Sequence, residues 1–91
     1  MQDFTIESEL GTEIVQAKNQ WKAAGEWAAQ HAGFDTDEPC WEPFSFHVNE
    51  TEFAAEIYRI GRSGSGILEI CSGDQRKFFN QEGNAVKLKL T

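Results

Sequence analysis

The fold turns on residues 12–32, TEIVQAKNQWKAAGEWAAQHA. Ile14, Ala17, Trp21, Ala24, Ala28 and Ala32 recur at steps of three and four, which lays one apolar stripe along a helix. Thr12 is placed to accept a backbone N–H as N-cap, and Glu13 suits the positive end of the helix dipole. Gly33 is a natural left-handed stop. The stripe is mostly alanine, so the spacing predicts a long helix lying close to a sheet. Trp21 supplies bulk at that contact, and Trp27 sits at the edge of the stripe. Gly25 costs up to about 1 kcal/mol relative to alanine inside a helix, and leaves room for a close packing contact.

On the N-terminal side, DFTIE at 3–7 alternates, with Phe4 and Ile6 on one face, and reads as a short half-buried strand. On the C-terminal side the chain reads as antiparallel sheet from Phe44. FSFHV at 44–48 alternates, ILEIC at 67–71 is rich in β-branched residues, and RKFFN and AVKLKL flank the turn signal QEGN. In the last of these, Val86, Leu88 and Leu90 are expected to point inward and Lys87 and Lys89 outward, as lysines on an edge strand do. NETEFAAEIYRIG at 49–61 fits two patterns. Asn49 and Glu52 resemble a capping box and Phe53, Ile57 and Ile60 would share a helical face. The Gly/Ser-rich GRSGSG that follows instead suggests a hairpin to ILEIC, and favours a strand. The expected architecture is α+β: one long N-terminal helix on an antiparallel sheet of four to five strands, in the order β-α-β-β-β-β, as a single domain over 1–91.

Composition narrows the function classes. Hydrophobic residues make up 40% and charged residues 25%, with seven Phe and three Trp, which is the balance of a globular chain. No apolar run is long enough to span a membrane. MQDFTIESEL has neither a basic nor an apolar segment, so it is not expected to act as a secretory signal. Two cysteines, Cys40 and Cys71, do not make a disulfide framework, and free thiols in the cytoplasm are expected. The net charge of −7 is unevenly spread. Residues 1–56 carry twelve acids against two lysines, and residues 57–91 three acids against six basic residues. Such an acidic half favours basic partners and repels nucleic acid and anionic lipid.

Most site chemistries fail on spacing. His31, Cys40, His47 and Cys71 offer no closely spaced pair of the kind structural zinc uses. Asp35, Asp37 and Glu38 lack the glycine and distal glutamate of a calcium loop. A Cys40–His47 nucleophile would sit among carboxylates that disfavour a thiolate. GRSGSG precedes a strand, so it lacks the helix N-terminus that draws phosphate. Neither a cofactor nor a metal is therefore expected, and no catalytic residue is assigned. Arg59, Arg62, Arg76, Lys77, Lys87 and Lys89, with Tyr58, Phe78 and Phe79, make a nucleic-acid-binding accessory domain the alternative. The net charge opposes that reading. A structural subunit of a larger assembly is a further alternative.

The remaining candidate is GFDTDEPCWEPFSF at 33–46, where Trp41 lies among Asp35, Asp37, Glu38 and Glu42. Pro39 and Pro43 hold Glu38 and Glu42 extended. One reading folds Trp41 back as a lid on the core. The other presents it as a hot spot inside an acidic rim, which Glu50, Glu52 and Glu56 extend. The second reading implies a non-enzymatic module that binds a protein with a basic surface. In size and charge the chain is similar to anti-CRISPR and anti-restriction proteins of phage and to nuclease immunity proteins, a class that blocks basic nucleic-acid-binding machines.

Overall fold

The computed structural model describes residues 1–34, 38–60 and 66–87. In chain order they form β1 (Gln2–Ser8), β2 (Gly11–Ala17), α1 (Gln20–Ala32), β3 (Phe44–Val48), β4 (Thr51–Ile60), β5 (Gly66–Ser72), β6 (Gln75–Asn80) and β7 (Ala85–Val86). The seven strands make one antiparallel sheet, ordered β2-β1-β3-β4-β5-β6-β7. The sheet curls as a half-barrel, with the single short helix on one face. The expected long helix on four to five strands is overturned, because residues 11–17 pair with β1 along its whole length.

The reason lies in the residues before Trp21. Thr12, Ile14 and Val15 are β-branched and lose little on a pleated surface. Ser8–Gly11 closes a tight hairpin, in which the Leu10 N–H donates to Ser8 Oγ at 3.1 Å and Gly11 takes φ 118°. The helix starts later, at Asn19. Its side chain accepts from the Lys22 N–H at 2.8 Å and its carbonyl from the Ala23 N–H at 3.1 Å. Thr12 is therefore no N-cap, and Ile14 sits 69% exposed on the face away from the helix. The helical stripe ran through Ile14 by coincidence of spacing. Gly33 does end the helix in the left-handed conformation, at φ 69°.

The core lies between α1 and the inward residues of β1 and β3–β6. Phe46, Phe53, Phe79, Ile6, Leu68, Ile70 and Val48 are its largest fully buried side chains. Ala23, Ala24, Ala28 and Ala32 are equally buried, so the helix rides close to the sheet. A Cβ at Gly25 would lie 2.5 Å from the Phe79 ring, which is the close contact its glycine permits. The tryptophans exchange their expected roles. Trp27 is buried against Phe46, with ring centroids 4.7 Å apart, while Trp21 is half-buried edge-on to Phe53 at 5.1 Å.

Residues 51–60 are strand, as the hairpin reading expected: Phe53, Ala55 and Ile57 are buried and Glu52, Ala54 and Glu56 exposed. The register with β5 shifts between Ile57 and Arg59, which bulges the strand at Tyr58. β7 corrects one expectation. Val86 lies opposite Phe78 on the sheet face away from the helix, not in the core. Leu88, Lys89 and Leu90 lie outside the described residues, as does the 61–65 connection. Among the described residues no helix is long and apolar enough to cross a membrane.

Candidate functional site

The sheet opens at one place. β1 and β3 are paired only at Ile6↔Val48 and Glu7↔His47. Beyond Glu7, β1 turns away into the β2 hairpin, while β3 continues backwards through Phe46, Ser45 and Phe44 paired with β4 alone. The two strands splay, and a continuous groove of about 580 Å³ in its wider part runs between them.

The floor of the groove is aromatic. Trp27 and His31, one turn apart on α1, stack with ring centroids 4.9 Å apart and planes 8° from parallel. Phe44 of β3 meets His31 edge-on at 4.5 Å. The indole Nε1–H of Trp27 donates to Glu13 Oε2 at 2.5 Å, which satisfies a polar group that burial would otherwise strand. That bond also fixes Glu13 of β2 at the groove wall.

The rim is acidic. Glu7 and Glu9 come from the β1 hairpin, Glu13 from β2, and Glu42 from the connection after α1. Among the described lining residues the only basic side chains are His31 and His47, with no Lys or Arg. The β1–β2 turn and the 42–43 segment thus face each other across rings with carboxylates on both sides. The Glu42 wall is tied to the helix end: the Cys40 N–H donates to the Ala32 carbonyl at 2.9 Å, and its Sγ to the Glu42 carbonyl at 3.6 Å. A concave acidic wall focuses negative potential, and carboxylates with ring faces suit guanidinium and ammonium groups.

The structure divides the residues singled out from sequence. Asp35 and Asp37 lie outside the described residues. Glu38 is exposed, and Trp41 is 61% exposed, so Trp41 does not fold back as a core lid. Glu42 lines the groove. Glu50 sits at the opposite end of β3, about eight extended residues or roughly 26 Å along the chain from Glu42, and Glu52 lies on β4 opposite the groove-lining His47. There Glu52 faces His47 Nε2 at 4.0 Å. Glu7, Glu9 and Glu13 take the place of Glu50 and Glu52. Sequence reasoning missed them because only a hairpin at Ser8–Gly11 carries them to the Glu42 wall.

The sheet face away from the helix carries other polar groups. Glu56 and Glu69 stand directly opposite one another on β4 and β5. Arg76 Nη1 approaches Glu69 Oε2 at 3.6 Å. Tyr58 lies edge-on to Phe78 at 5.2 Å. The Cys71 thiol is pushed up from its ordinary range, first by burial and then by its hydrogen bond to Glu69, which keeps it protonated and poorly nucleophilic. Among the described residues no cluster of three His, Cys, Asp or Glu side chains is placed to hold a metal. Comparison with family models, curated proteins and solved structures found no match, so the reading of this site rests on its geometry.

Proposed function

We propose that the chain is a small non-enzymatic binding module that captures a basic segment of a protein partner in the groove between β1 and β3. The observation that carries this reading is the convergence of Glu7, Glu9, Glu13 and Glu42 over Trp27, His31 and Phe44, with no Lys or Arg among the described lining residues. The exposed Trp41, next to Glu42, extends the apolar contact beyond the groove mouth. A partner whose Arg and Lys residues normally contact nucleic acid fits this chemistry, since carboxylates substitute for phosphates and steer association. The activity proposed is therefore inhibition of a basic nucleic-acid-binding protein in a reducing, cytoplasmic setting.

The alternative, direct nucleic-acid binding by the C-terminal strands, is less favoured by how their residues are used. Phe79 is buried, Arg76 is engaged by Glu69, and Lys77 lies on the helix side, its Nζ 4.8 Å from the Trp21 ring centroid.

The test is capture from a native lysate by three baits: wild type, the variant Glu7→Gln/Glu9→Gln/Glu42→Gln, and the distal control Glu50→Gln. The expected result is a basic protein retained by wild type and control, lost from the groove variant, and weakened by salt. Equal retention by all three baits would sink the groove as a docking site.

A further inference from the structure

We infer that the free edge of β2 pairs with the β2 edge of a second copy of this chain, joining two sheets into one. The direction of the backbone groups decides which residues are free. The Asn49 N–H donates to the Thr5 carbonyl at 2.7 Å, and the Thr5 N–H to Asn49 Oδ1 at 3.0 Å, so Thr5 points both backbone groups toward β3. By the alternation of a strand, Phe4 and Ile6 point theirs toward β2, where they meet Val15 and Glu13. On β2 the N–H and C=O groups of Thr12, Ile14 and Gln16 are therefore directed outward, and among the described residues β2 is the last strand of the sheet.

This edge lacks the devices that usually prevent pairing. It runs seven residues in unbroken register with β1, contains neither Pro nor Lys, and exposes Ile14 to 69%. The opposite end differs. β7 is two residues long and is followed by the exposed Lys87.

The strand fits itself. Ile14 is the midpoint of Gly11–Ala17 and one of the outward-directed residues. A two-fold axis at Ile14 gives about six backbone hydrogen bonds, from Ile14 to its own copy and between Thr12 and Gln16. On the face away from the helices the two Ile14 side chains cover each other, flanked by Thr12–Gln16 pairs. On the helix side Glu13 faces Val15 of the other copy, so no like charges oppose, and the Glu13 carboxylate is already held by Trp27. Beyond the strand ends, Lys18 of one copy approaches the Glu9–Leu10 turn of the other, a charge-complementary contact that also covers Leu10, which is 75% exposed. Self-pairing is thus an antiparallel extension with matched charge, and it brings Lys18 of each copy to the Glu9–Leu10 side of the other copy's groove.

Sedimentation equilibrium across a concentration series, with amide hydrogen exchange on the same samples, tests this. The expected result is a dimer that persists in high salt, since backbone pairing and apolar contact are screened little. Exchange at Thr12, Ile14 and Gln16 should slow as concentration rises. Ile14→Lys places like charges opposite each other and should weaken association at least about tenfold. Ile14→Pro removes only an outward N–H, a change edge strands accept, and should give a monomer with an unchanged circular dichroism spectrum. The inference would be overturned by a wild-type monomer whose three edge amides exchange freely up to about 1 mM, or by a dimer that both folded variants leave intact. Protection of those amides only when a different protein is added would also overturn it. If either variant fails to fold, the wild-type exchange series still decides.

Discussion

Phe78 and Phe79 are neighbours in β6 and occupy different environments. Phe79 is 2% exposed, lies opposite Leu68, and presses its ring onto the Gly25 backbone of α1. Phe78 is half-exposed on the other face, between Glu69 and Val86, with Tyr58 edge-on. The same alternation separates Phe53 from Glu52 and Ile57 from Glu56. One face of the sheet holds the protein together through apolar burial against α1. The other spends its residues on charge, a bulge and uncovered rings. A strand has a period of two, so a single sequence writes both faces at once, and the helix decides which is which by covering one.

The largest expected effect probes that contrast directly. Phe79→Ala should destabilise by about 3–5 kcal/mol, through lost burial and a cavity under α1. Phe78→Ala should cost less than about 1 kcal/mol, as a surface change does. Urea denaturation of both variants measures the gap, and equal costs would mean that the outer face is covered in solution. Gly25→Ala should also destabilise, by about 1–3 kcal/mol, despite the better helix propensity of alanine. Its Cβ would meet the Phe79 ring at 2.5 Å and the Gly83 carbonyl oxygen at 2.9 Å. A neutral result there would show that the helix can lift from the sheet without cost.

Smaller effects belong to the polar groups. Glu13→Leu leaves the Trp27 indole N–H without its acceptor and should cost about 1–3 kcal/mol, read by thermal unfolding and by a change in tryptophan fluorescence. Glu56→Gln removes one of two carboxylates facing each other across β4 and β5, and should stabilise by up to about 1 kcal/mol. The smallest effect is alkaline. The Cys71 thiol is raised in the folded state by burial and by Glu69, so the unfolded chain loses that proton first. Its stabilising contribution is complete below the ordinary thiol range and fades as pH rises above about 8.5. Cys71→Ser should remove that part of the alkaline decline in stability.

The strands were legible wherever alternation was strict. FSFHV, ILEIC and the DFTIE segment are found where their spacing placed them, because burial on one face and solvent on the other selects the strand period. EFAAEIYRI resolved to strand through its connection to β5, although Ala54 and Ala55 suit a helix. The start of α1 was misread because Ile14, Ala17 and Trp21 satisfy helical steps while Glu13, Val15 and Ala17 satisfy strand steps. Local propensity differs by too little to choose between them, and β1 chose. The site suffered from the same ambiguity. Glu42 and Trp41 stood out by composition, whereas Glu7 and Glu9 became wall residues only once the chain turned at Ser8–Gly11.

Sequence by itself determined the local matters: the alternating faces of β1, β3 and β5, the glycine that ends α1, and an acidic N-terminal half. Those follow from side-chain period, backbone sterics and charge, which act over a few residues. Tertiary structure decided that residues 11–17 are a strand, that Trp27 is buried in place of Trp21, and that β1 and β3 part beyond Glu7 to open a groove. Each depends on which distant segment supplies the other half of a hydrogen-bonded or packed pair, and a partner absent from the local sequence leaves no periodic trace in it.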